Sequence, residues 1–177
     1  PATIPGCSMR IFPPVVMLDA EDDPHLNAIA RLDGGRLFIV AERGASFLSD
    51  DDGASWTRRP LPYDGSMFGL EPLGEGRVLA YGLRGNALVS DDNGENWREL
   101  DTGTDLSLYG AARIGSDGLL LVGANGLLLR TSLALDSFEQ QAQEEAGILA
   151  DALDLGGDDI LLLGELGLQR PVQGGQP

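Results

Sequence analysis

Ser49-Asp50-Asp51-Asp52-Gly53-Ala54-Ser55-Trp56 is followed, from Ser49 to Ser90 a step of 41 residues, by Ser90-Asp91-Asp92-Asn93-Gly94-Glu95-Asn96-Trp97. Both stretches satisfy Ser-x-Asp-x-Gly-x-x-Trp. Side-chain chemistry reads each as a hairpin turn. Asp51 and Asp92 are placed to accept hydrogen bonds from backbone N–H groups of the turn. Gly53 and Gly94 supply the positive φ that closes it. Trp56 and Trp97 offer indoles to pack between neighbouring sheets. A third copy, Thr131–Phe138, carries Leu133 and Leu135 where Asp and Gly belong, and keeps only the aromatic position.

The same step runs through the rest of the chain. Gly44, Gly85, Gly126 and Gly167 keep it, as do Leu37, Val78, Leu119 and Ile160. Leu26, Met67, Leu108 and Leu149 form a further series. Within the first unit the turn signals separate four short strands: Leu26–Leu32, Arg36–Glu42, Ala45–Ser49 and Ser55–Arg59. Four strands per unit of about 40 residues is the pattern of a β-propeller blade; helical repeats of similar period lack this density of glycine turns. The expectation is an all-β propeller with units near 26–59, 67–99, 108–141 and 149–172. Leu26, Ile29, Leu32, Leu37, Ile39, Phe47 and their repeat mates are expected in the core. Asp136–Ala146 taken alone favours a helix. The repeat register overrides this and places Phe138 on a fourth strand, where Trp56 and Trp97 stand.

The phase of the repeats leaves the ring open in sequence. Counting back from Trp56 reaches Val15, so Val15–Leu18 reads as an outer strand, while the last unit supplies three strands. A closed four-bladed ring, part of a larger ring, and a two-chain ring of eight all fit. Residues 1–14 read as a poorly ordered leader and 173–177 as a flexible tail.

Composition excludes several functions. Twelve basic residues, all Arg, oppose 28 acidic ones, giving a formal charge of −16, so no nucleic-acid partner is expected. Cys7 and His25 are single, which removes Cys-based zinc sites and His clusters. Neither acidic loop continues with the Glu of a calcium-binding EF-hand, so no metal or cofactor is expected. No apolar run approaches the roughly 20 residues that a membrane-spanning helix needs. Of Tyr63, Tyr81 and Tyr109, only Tyr81 falls on an inner apolar strand, and the register puts no Glu beside it. An enzyme is therefore not expected; the alternative is a glycosidase-like or carbohydrate-binding protein.

Arginine placement offers candidate binding residues. Arg43 and Arg84 share one repeat position, just before the glycine series, and Arg36 and Arg77 share another. Identical positions on successive blades lie side by side on one face of a ring. Arginines aligned in this way suit the carboxylates of a protein partner through bidentate bonds. The competing reading is solubility, or internal pairing with Glu42 and Glu71.

The box motif, preceded by a Gly-containing turn and repeated at this period, resembles the Asp-box or BNR repeat of the photosystem II stability/assembly factor family. The resemblance spans about residues 15–172. It implies a non-enzymatic propeller, usually seven-bladed, that acts as an assembly scaffold. Similar proteins of non-photosynthetic bacteria often stand beside RND-type transporters, and the Arg-only basic complement favours that branch. Exported, periplasmic or membrane-associated placement follows from the resemblance, with the cytoplasm as the alternative. The family's arginine patch would correspond to Arg43 and Arg84, while Asn125 and Leu166 break the series.

Overall fold

The computed structural model describes residues 24–143, 146–157 and 159–171. Among the described residues, fifteen strands form four antiparallel sheets in strict sequence order. The first sheet contains β1 (Leu26–Arg31), β2 (Leu37–Ala41), β3 (Ser46–Ser49) and β4 (Thr57–Arg58). The second contains β5 (Met67–Gly74), β6 (Arg77–Gly82), β7 (Ala87–Ser90) and β8 (Arg98–Leu100). The third contains β9 (Leu108–Ile114), β10 (Gly118–Gly123), β11 (Leu127–Ser132) and β12 (Glu139–Ala142). The fourth contains β13 (Leu149–Gly156), β14 (Asp159–Gly164) and β15 (Gly167–Gln169). First strands stack on one another, β1 on β5, β5 on β9 and β9 on β13. This is the arrangement of successive propeller blades.

Glu139–Ala142 is a strand despite its helix-forming residues, because it pairs with β11 from Leu127↔Ala142 to Arg130↔Glu139. Trp56, Trp97 and Phe138 each stand one residue before the outer strand rather than on it. Val15–Leu18, the leader and the tail lie outside the described residues.

The three larger core clusters lie between blades, and a smaller one, Ala41, Ala45 and Phe47, lies on blade 1 itself. Phe38, Val40 and Leu48 of blade 1 meet Met67, Val78, Ala80 and Leu88 of blade 2. Leu79, Tyr81 and Val89 of blade 2 meet Leu108, Leu119, Leu121 and Leu129 of blade 3. Leu120, Val122 and Leu128 of blade 3 meet Leu149, Ala152, Ile160 and Leu162 of blade 4. Each blade thus has an incoming face and an outgoing face, set by the two-residue alternation of side chains along a strand.

The expected core fails at two places. Leu26 and Ile29 are 54% and 61% exposed, although Met67, Leu108 and Leu149 at the position of Leu26 are fully buried. They belong to the incoming face of blade 1, which no described blade covers. In blade 4 Leu155, the repeat mate of the buried Leu32 and Leu73, is 48% exposed, and Leu153, Leu163 and Leu168 on the outgoing face are exposed as well.

Blade 4 also departs from the repeat at its turn. In the first three blades the partners are Val40↔Ser46, Tyr81↔Ala87 and Val122↔Leu128. In blade 4 the pair is Leu163↔Leu168, closed by a two-residue turn. The third strand therefore slips by one residue relative to its mates, and Leu168 joins Leu163 on one face.

Candidate functional site

The two box loops are built alike, and each spends its carboxylate on itself. Ser49 Oγ donates to Asp51 Oδ1 at 2.8 Å and accepts the Gly53 N–H at 2.9 Å. Asp51 accepts the Ser55 N–H at 2.8 Å and the Ser55 hydroxyl at 2.7 Å. In the second loop Ser90 donates to Asp92 at 2.9 Å and accepts the Gly94 N–H at 2.9 Å. Asp92 accepts the Asn96 N–H at 2.8 Å and its side-chain amide at 2.6 Å. The bonds from Ser55 and Ser49 hold the Asp51 carboxyl down at about 2, and those from Asn96 and Ser90 lower Asp92. The serine bridges aspartate and glycine, a role that the motif spacing does not reveal.

Positive φ is wider than the glycines. Asp52 and Asn93 precede Gly53 and Gly94 with φ of 55° and 61°, and both glycines stand at 86°. Two successive left-handed residues make the tight turn that short polar side chains tolerate. Trp97 caps it by donating Nε1–H to the Gly94 carbonyl at 3.2 Å and packing on Phe38 of blade 1, ring centroids 5.2 Å apart. Trp56 meets no neighbouring blade among the described residues and packs beside Ile39 and Phe47 of its own sheet.

Arg36 and Arg77 sit at the box end of the blades, where they act as clamps. Arg36 donates Nε–H to Asp50 at 2.6 Å, then reaches blade 2 at the Asn93 carbonyl, 3.1 Å, and Glu95, 2.8 Å. Arg77 repeats this with Asp91 at 2.9 Å and the Leu133 carbonyl of blade 3 at 2.8 Å. Their guanidinium groups are committed to their own fold. Leu133, lacking the box aspartate, still offers the backbone oxygen the clamp needs.

Arg43 and Arg84 lie at the opposite end, on the turns between the second and third strands. Both are exposed, and both adopt the left-handed conformation, φ 54° and 57°; Asn125 matches them at 54°. Gly44, Gly85 and Gly126 follow with φ of 64°, 72° and 67°. These glycines approach backbone too closely for a side chain. A Cβ on Gly44 would come within 2.5 Å of the Tyr63 carbonyl, and one on Gly85 within 2.0 Å of the Thr104 carbonyl. The Gly44 and Gly126 N–H groups donate to the carbonyls of Gly65 and Gly147, at 3.0 and 2.6 Å. The turn is thereby pinned to the linker entering the next blade, and the arginine at its tip is projected outward. Among the described residues, no ion pair engages Arg43 or Arg84. Glu42 instead meets His25 at 3.2 Å, and Glu71 meets Arg113 at 3.1 Å. Asp64 and Asp105, also 41 apart, are exposed on the adjoining linkers.

A polar group gathers on the first strands. Glu71, placed opposite Leu79, shares the face of Tyr81, so an acidic neighbour is present where the register promised none. Burial chiefly, then the charges of Asp151 and Glu71, push the Tyr81 phenol upward. Burial also raises Glu71 against the pull of Arg113. A phenol held protonated in this way is a poor nucleophile at neutral pH.

Known structures share the architecture. YCF48 bound to D1 peptide matches at a TM-score of 0.60 and 20% identity, over 80% of this chain and 47% of that one. The chain is a stretch of β-propeller. The WD40 repeats of RRP9 match at 0.63 and 12% identity, over 78% and 46%. The computationally designed Ika4 protein matches at 0.65 and 9% identity, over 83% and 90%. This propeller thus spans about half the length of YCF48 and of the RRP9 repeats. No protein-family model matches it, and no curated protein sequence does.

Proposed function

We propose that the chain is a non-enzymatic scaffold that docks an acidic segment of a protein partner on the face carrying Arg43 and Arg84. The observation that carries this reading is the pinned turn. Two arginines are fixed at one repeat position, exposed and without an ion pair among the described residues, on a protein of formal charge −16. Pre-set backbone lowers the ordering cost of recognition, and guanidinium groups suit carboxylates. Asp64 and Asp105 bound the arginines and favour a partner segment that also brings donors. Arg36 and Arg77, spent on inter-blade bonds, are left out of the docking surface. The peptide in the YCF48 structure supports the choice of a protein ligand. A bacterial, membrane-associated or exported complex, including an RND-type transporter, rests on the family resemblance.

Binding of fluorescent acidic peptides, followed by anisotropy, tests the reading. Arg43→Glu combined with Arg84→Glu should weaken binding by roughly tenfold or more, and added salt should weaken the wild-type complex. Unchanged affinity would remove the arginine face. Turnover of fluorogenic glycosides by the wild-type chain would remove the non-enzymatic assignment.

A further inference from the structure

The two faces that no described blade covers are the two halves of one repeated interface. In all three internal junctions an outgoing face meets an incoming one. Val40, Tyr81 and Val122 fill the outgoing position and are no more than 6% exposed, whereas Leu163 at the same position is 48% exposed. Phe38, Leu79 and Leu120 are fully buried; their mate Leu161 lies with Leu153, Leu163 and Leu168 around an open apolar hollow on blade 4. Leu26 and Ile29 expose the complementary incoming positions on blade 1. Contiguous exposed leucines of this kind mark an interface.

We propose that two copies of this chain close into one eight-bladed ring, the outgoing face of blade 4 in each seating on the incoming face of blade 1 in the other. A second copy fits for three reasons. Each chain carries one face of each kind, so two identical junctions satisfy all four faces. Such a head-to-tail contact closes when the rotations add up to a full turn. The share of length is compatible, because the four blades superpose on 47% of YCF48 and 46% of the RRP9 repeats, which leaves about as much propeller again beyond them. Among the described residues no close packing joins β1 to β13. Two chains of formal charge −16 repel, so ring closure strengthens as salt rises.

Light scattering on the 177-residue chain, across protein and salt concentrations, reads the outcome. The expected mass is twice 18.7 kDa, approached more readily at high salt. Leu163→Asp, and independently Ile29→Asp, should return the single-chain mass with the strand signal in circular dichroism retained. A single-chain mass for the wild type at every condition would overturn the proposal, whether the ends meet within one chain or await blades from another protein. A doubled mass unaffected by both substitutions would overturn the assigned faces. Arg43→Glu with Arg84→Glu should leave the doubled mass intact, so failure of docking and failure of ring closure are separable.

Discussion

Leu108 and Leu26 are the same residue at the same place in the repeat, yet one is fully buried and the other 54% exposed. The difference lies wholly in the neighbour. Leu108 faces the outgoing side of blade 2, with Leu79 and Tyr81, while Leu26 faces no described blade. In a repeat protein the sequence position sets which face a side chain occupies, and the adjacent unit sets what that side chain is worth. Blades 1 and 4 are therefore half-finished in the same sense, and blades 2 and 3 show what finishing them involves.

Truncation should break this symmetry most strongly. Leu108→Ala is expected to cost about 2–5 kcal/mol in urea unfolding, from lost transfer energy plus the cavity left behind. Leu26→Ala in dilute protein should cost less than about 1 kcal/mol. If two chains join, the Leu26→Ala penalty should grow with protein concentration. Equal penalties for the two in dilute solution would mean that blade 1 is covered by something other than a second chain.

A sharper pair stands in the boxes. Gly53 and Gly94 share φ of 86°, so alanine strains the backbone equally at both. A Cβ at Gly94 would come within 2.9 Å of the Phe38 ring, whereas at Gly53 its nearest neighbour is a Leu37 methyl at 3.5 Å. Both variants should lose about 1–2 kcal/mol from the left-handed conformation, with Gly94→Ala losing measurably more. A Gly53→Ala loss matching that of Gly94→Ala in thermal melts would show that the neighbouring blade contributes nothing there.

The smallest effect concerns acid. Asp51 has its folded-state pKa depressed from 3.8 to about 2. Its contribution is complete above the unfolded value and fades as pH falls from about 4 towards 2. Asp92 shifts in the same direction. Asp51→Asn should flatten the dependence of stability on pH in that window, measured by denaturant titration at successive pH values. An unaltered slope would mean the loop's hydrogen bonds form equally well with a neutral side chain.

The strand order and even the strand at Glu139–Ala142 were legible from a fixed spacing, because each blade repeats the same demands on backbone and face. The candidate binding arginines were legible only as two pairs. Tertiary structure divided them, since strand direction sends Arg36 and Arg77 to the box end and Arg43 and Arg84 to the other. Nor could spacing show Glu71 beside Tyr81, which depends on the β5–β6 register, or the one-residue slip at Gly167, which depends on turn length.

Sequence by itself thus determined the local elements and, in the first three blades, the side of the sheet that the core residues occupy, because backbone chemistry and two-residue alternation act within a few positions. Only tertiary structure decided which of those sides are covered and which charges are already spent. Burial and ion pairing depend on the blade next door, and no periodicity inside one unit specifies where a row of blades ends.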